Sequence, residues 1–120
     1  MTDPTTGYNL KVREIAGRGR GVVATKEFKK GELVHVSPII LLAEYEVGDT
    51  LDRYVFQWDD KHYALALGVG SLFNHSAAPN MIITLRSSKK EIAFWANKQI
   101  QAASELTHSY DYTPDGYDGK

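Results

Sequence analysis

Apolar residues in this chain recur at every second position in short bursts and never sustain the 3.6-residue spacing of an amphipathic helix. Leu10–Ile15 alternates in this way and predicts a strand, followed by a loop at Gly17–Gly21. Val22–Thr25 is brief and β-branched, and Lys29-Lys30-Gly31 reads as a turn. Leu33–Ala43 is rich in Val, Ile and Leu and predicts the longest strand. Pro38 inside it marks a bend or an edge, because proline has no N–H to give to a ladder. Tyr54–Trp58 and Tyr63–Leu67 predict two strands around an Asp59-Asp60-Lys61 turn. Met81–Leu85 and Glu91–Ala96 suit a hairpin across Ser87–Lys90, and Leu106–Tyr112 predicts a last strand before a Pro/Asp/Gly tail. Helix signals are sparse: Asp49 or Thr50 capping a short turn, and a helical turn over Gly70–His75. The pattern predicts a mostly β fold of several small twisted sheets, with no repeat, linker or internal boundary. All of residues 1–120 are expected to form one domain.

Composition narrows the function classes. With 42% hydrophobic residues the 120-residue chain can bury one core, and its net charge of −1 predicts neither nucleic-acid nor anionic-membrane binding. It has no cysteine, which excludes thiolate zinc clusters, disulfides and thiol nucleophiles and fits a reducing cytoplasm. Delivery into a host cell stays open. Met1–Tyr8 lacks the apolar stretch of a secretory signal, and the longest apolar run, Pro38–Ala43, is far short of the roughly 20 residues that cross a bilayer. Between Glu44 and Asp60 six acids face a single base, Arg53, a local charge of −5. Such a run is either a solvated face or a lure for a basic partner.

Three constellations could carry chemistry. Gly17-Arg18-Gly19-Arg20-Gly21 places glycine at every second position, which allows positive φ and close approach of the backbone to a ligand. It is neither a P-loop nor a dinucleotide fingerprint, since neither Gly-Lys-Ser/Thr nor a helix follows; alone it is a flexible turn. Asn74-His75-Ser76, with Pro79-Asn80 close behind, suggests a buried turn whose side chains bond to backbone or to a ligand. His75 has no His or Asp at ligand spacing, so no metal site is expected. In Glu105–Tyr112, alternation sends Leu106, His108, Tyr110 and Tyr112 to one face, as core aromatics or as hydroxyls aimed into a cleft.

Taken together, in this order and spacing, the three motifs resemble the SET family of lysine methyltransferases, over about Asn9 to Tyr112. Lys30-Gly31-Glu32-Leu33, Ala66-Leu67-Gly68 and Phe73 also fall where that family has its turn into the second strand and its approach to the Asn-His motif. The chain looks most like the short stand-alone SET proteins of viruses and bacteria. The resemblance implies a mostly β fold with a C-terminal pseudoknot, a crossing that ordinary topology rules disfavour. It implies S-adenosylmethionine as methyl donor, contacted by Arg18, Gly19 and Arg20 largely through backbone and by Asn74 and His75. It implies Tyr110 as the catalytic tyrosine, and Tyr54, Tyr112 and His108 around the channel for the substrate lysine. Asn80 and Glu105 would be structural, supporting the crossing segment. The acidic stretch would flank the peptide groove and attract a basic protein or peptide such as a histone-like tail. No general base is evident, because desolvation beside a sulfonium lowers the pKa of the amine. Trp58 and Tyr63 read as core residues or as walls on the peptide side.

The sequence departs from the family at several places. Ala103-Ser104 stands where Gly-Glu often precedes Glu-Leu-Thr, and Ala77-Ala78 replaces a frequent Cys. No cysteines are present to build a zinc-binding extension, so Thr113–Lys120 with Tyr117, or the partner in a homodimer, would have to close the channel. His108 occupies the position where Phe or Tyr often governs how many methyl groups are added. The alternative to an active enzyme is a SET-like peptide-binding or interaction module with weak catalysis.

Overall fold

The computed structural model describes residues 6–7, 9–109 and 112–113. The first sheet is three-stranded, with β1 (Thr6–Gly7), β2 (Leu10–Ile15) and β3 (Gly19–Ala24) all antiparallel. β3 begins three residues before the β-branched run, so the glycine-rich segment is not the loop its composition suggests. Ile15 pairs with Gly19 and Arg13 with Gly21, and only residues 16–18 form the turn. Gly17 and Gly19, at φ +79° and +77°, supply its left-handed positions, and the Arg18 N–H donates to the Ile15 carbonyl at 3.0 Å.

The main sheet has six strands in the order β11-β8-β9-β4-β6-β5. They are β4 (Leu33–Ala43), β5 (Val55–Gln57), β6 (His62–Ala66), β8 (Met81–Arg86), β9 (Glu91–Ala96) and β11 (Tyr112–Thr113). β4 changes partner halfway. Leu33–Pro38 pairs with β9 and Ile39–Ala43 with β6. Pro38 sits at the handover, where its missing N–H costs no ladder bond, and its carbonyl accepts from the Leu67 N–H at 2.9 Å. The bend expected at Pro38 is therefore a change of partner within one continuous strand. The β8–β9 hairpin turns at Ser87–Lys89, with Lys90 left-handed at φ 55°.

Inward-facing residues of both sheets form one core, including Val22, Phe28, Phe56, Phe73, Ile83, Phe94, Ile100 and Leu106. Trp58 packs against this cluster, the bland role anticipated for it.

Helical structure differs from the expectation in three places. The helix α1 spans Glu44–Leu51, with Glu46 accepting from the Ala43 N–H at 2.8 Å. It starts well before Asp49 or Thr50 because this carboxylate, not theirs, satisfies the free N–H at its start. Gly48 (φ 61°, ψ −176°) breaks α1 midway, and a 3-10 turn at Asp52–Tyr54 follows. Tyr54 thus ends a helical turn and does not open β5. The helical turn expected over Gly70–His75 stops at Leu72, and Asn74–His75 is a short strand, β7. Gly70 lies so close to β4 that a Cβ there would come within 2.2 Å of Ser37 Oγ.

The segment after Ile100 crosses between the two sheets. On one side the Ala103 and Leu106 N–H groups donate to the Ala24 and Val22 carbonyls, and the Ala24 N–H donates to the Ser104 carbonyl. On the other, β10 (Thr107–His108) pairs in parallel with β7 in a separate two-stranded sheet. The single strand expected over Leu106–Tyr112 is two pieces, β10 and β11. Each pairs in parallel with a different upstream partner, β7 and β8.

Candidate functional site

The parallel β7–β10 pair brings the second and third sequence motifs together, with Asn74 opposite Thr107 and His75 opposite His108. The glycine-rich β2–β3 turn joins them through Glu105. The Asn74 amide donates to Glu105 Oε2 at 2.7 Å and to the Arg20 carbonyl at 3.1 Å. Arg18 Nη1 lies 3.7 Å from Glu105 Oε1 and donates to the His75 carbonyl at 3.1 Å. One partly buried carboxylate therefore ties all three motifs, matching the structural role expected of Glu105.

Gly21 makes this closeness possible. A Cβ on it would lie 2.7 Å from Asn74 Nδ2, from Glu105 Oε2 and from Ile15 Cγ1. Asn80 holds the crossing segment from the far side, accepting from the Thr107 N–H at 2.9 Å and donating to the Glu105 carbonyl at 2.8 Å. This is the backbone-supporting role expected of it.

These elements enclose a cavity of about 440 Å³, within the range of small-molecule sites. Arg18, Gly19, Arg20, Tyr54, Asn74, His75 and His108 all line it, so seven of the nine residues singled out from sequence share one wall. Tyr110 lies outside the described residues, as does the side chain of Tyr112. Arg53, Phe56, Leu72 and Phe73 also line the cavity and were not singled out as ligand residues. Arg53 carried a usable signal, being the one base in the acidic run. Phe56 did not, since an inward aromatic on a short strand is ordinarily core.

His108 is 4% exposed, with its ring centroid 5.3 Å from that of Phe56 and 6.3 Å from that of His75. Burial pushes its pKa below the usual histidine value, and the nearby His75 adds to the effect. Hydrogen bonds to the Ser109 and Phe73 backbone oppose the shift without cancelling it. A neutral imidazole therefore stands on the cavity wall at pH 7. Tyr63 pairs with Leu42 on the sheet face opposite the core and does not line the cavity.

Residues 19–111 match the SET domain. This chain belongs to the SET-domain family. A histone-lysine N-methyltransferase of Schizosaccharomyces pombe, specific for H3 lysine-37, is 30% identical over 92% of this chain and 78% of its own length. The histone-lysine N-methyltransferase Set8 of Drosophila melanogaster is 33% identical over 84% of this chain, which spans only 17% of that larger protein. A Plasmodium falciparum crystal structure, described as a histone methyltransferase, superimposes with a TM-score of 0.75 at 24% identity. That match covers 90% of this chain and 97% of the other, and it shows that the fold is shared.

The cavity suits the methyl donor that the family implies. Gly19 has open space where a Cβ would project, so bare backbone faces the void. The wall combines aromatic rings, amide groups and guanidinium cations, the donor set that a molecule with a purine at one end and an amino acid at the other requires.

Proposed function

We propose that this SET domain transfers a methyl group from S-adenosylmethionine to a lysine side chain of a basic protein, with a histone as the foremost substrate class. The observation that carries the reading is the convergence of the Gly-Arg-Gly-Arg-Gly turn, Asn74-His75 and Thr107-His108 on one cavity through Glu105. The histone assignment rests on the substrates named for the fission-yeast and fly relatives.

The bound donor would supply an electrophilic methyl on a sulfonium. The β3 backbone at Gly19–Arg20 and the Asn74 amide would orient it, and Tyr54 and Phe56 would exclude water from one side. Alignment and exclusion of water account for much of the acceleration of such an in-line displacement. The attacking lysine must be neutral, and a free lysine has a pKa of about 10.4. A wall that holds neutral His108 and three arginines disfavours the ammonium form, so desolvation and repulsion do the work of a base. Tyr110 is assigned the role of orienting the amine, by its place in the motif. The exposed acids of α1 and the turns after it (Glu44, Asp49, Asp52, Asp59 and Asp60) would raise the local concentration of a basic tail.

The test is transfer of labelled methyl from S-adenosylmethionine to intact histones, followed by mass spectrometry of lysine peptides. Added methyl mass on a specific lysine, lost in Tyr110→Phe while S-adenosylhomocysteine still binds, supports the proposal. Retention of full activity in Tyr110→Phe removes that residue from the mechanism. Absence of transfer to any basic protein, with the cofactor bound, favours a recognition module.

A further inference from the structure

Three arginines, Arg18, Arg20 and Arg53, line the cavity, and among the described residues no carboxylate does. Two of them have an acid as a neighbour in the fold. Arg18 has Glu105 at 3.7 Å, and Arg20 sits directly opposite Glu14 in the β2–β3 ladder, the cross-strand position where opposite charges neutralise each other. Arg53 is different. It is the one base between Glu44 and Asp60, and Asp49 lies four residues before it, the spacing at which helical residues ordinarily pair. Among the described residues no ion pair joins the two, because α1 ends at Leu51 and the chain tightens to a 3-10 turn at Asp52–Tyr54, where the helical four-residue spacing no longer holds. That turn presents Arg53 and Tyr54 to the cavity side by side.

We infer that Arg53 is a binding residue for the α-carboxylate at the amino-acid end of the methyl donor and of its demethylated product. This rests on the methyltransferase reading and adds to it a residue that none of the three motifs contains. The charge pattern of the ligand makes the assignment. S-adenosylmethionine carries a sulfonium, an ammonium and one carboxylate, so the carboxylate is the one group a cationic wall attracts. Placing it at Arg53 sets it beside Tyr54, the neighbouring lining residue, and leaves the sulfonium and the ammonium to the remainder of the wall. A guanidinium also offers paired N–H donors that a carboxylate accepts two at a time, a geometry lysine does not reproduce.

The experiment is calorimetric titration of the protein with S-adenosylhomocysteine and with its decarboxylated counterpart, which keeps the ammonium and lacks the carboxylate. Wild type is compared with Arg53→Ala, Arg53→Lys and Arg20→Ala, each checked for an unchanged cooperative melt. We expect Arg53→Ala to weaken S-adenosylhomocysteine roughly 10- to 100-fold, the range of a charged hydrogen bond, and to leave the decarboxylated ligand unchanged. Arg53→Lys should fall between. Equal loss for both ligands, or no loss for either, overturns the assignment, as does a carboxylate-dependent loss confined to Arg20→Ala. Failure of the wild-type protein to bind S-adenosylhomocysteine at all would sink the methyltransferase reading itself, a result distinct from any of these.

Discussion

Gly19 and Gly21 stand two residues apart on β3 and fail for different reasons when replaced. Alanine at Gly19 meets no neighbour but must hold φ +77°, which costs about 1–2 kcal/mol. Alanine at Gly21 drives a methyl into Asn74, Glu105 and Ile15, and relieving that overlap opens the Asn74–Glu105 hydrogen bond. Overpacking of this kind costs about 1–3 kcal/mol. Both variants should lower the urea midpoint, but Gly21→Ala should also abolish saturable binding of S-adenosylhomocysteine, because it disconnects the motifs. Equal binding by the two variants would contradict the role given to Gly21. His108 makes a pH prediction. Its pKa is lowered by burial, and that of His35 is lowered by the same cause. Below the ordinary histidine value of about 6.5 the unfolded chain takes up protons that the native state refuses. Stability is therefore full above that pH and declines as pH falls through it. Urea midpoints between pH 5 and 8 should show this decline, and His108→Phe should flatten it.

At the scale of elements, the decisive piece is the segment from Ala103 to His108, which bonds to β3 on one side and β7 on the other. Leu106 and His108 bury their side chains, and backbone bonds and Asn80 fix the rest of its place. Asn80→Ala leaves the Thr107 N–H and the Glu105 carbonyl without their side-chain partner. Stranding such part-buried groups costs about 1–3 kcal/mol each before relaxation. The expected result is a lower urea midpoint together with faster amide exchange at Thr107 than in β8 or β9. Unchanged protection at Thr107 would mean that β7 and β3 hold the segment unaided. The one-strand expectation for Leu106–Tyr112 failed at this scale, because alternation reports which face a residue occupies and not where pairing stops. Leu106 and His108 are both buried, and so is Thr107 between them, so burial does not alternate along this segment.

At the scale of the whole molecule, charge is uneven although the total is −1. The acids of Glu44–Asp60 lie in α1, the 3-10 turn and the β5–β6 turn, the stretch that the family resemblance puts beside the peptide groove. Raising salt from 50 to 300 mM should therefore raise KM for a basic peptide several-fold and leave kcat nearly unchanged, since screening acts on encounter. An invariant KM would assign the acidic run to solvation alone. What the sequence determined by itself was the mostly β class, the place of most strands and the motifs that carry chemistry. Alternation and β-branched runs located most of the strands because burial of one sheet face is a local demand, and the three motifs were legible because each is contiguous. What tertiary structure alone decided was contact between residues distant along the chain. Asn74 meets Glu105 and Arg18 meets the His75 carbonyl across 31 and 57 positions. No local pattern encodes such a meeting, since it depends on a crossing that ordinary connection rules disfavour. Arg53 reaches the cavity for the same kind of reason. Its sequence neighbours read as a solvated acidic face, and the 3-10 turn at Asp52–Tyr54 places it on the cavity lining.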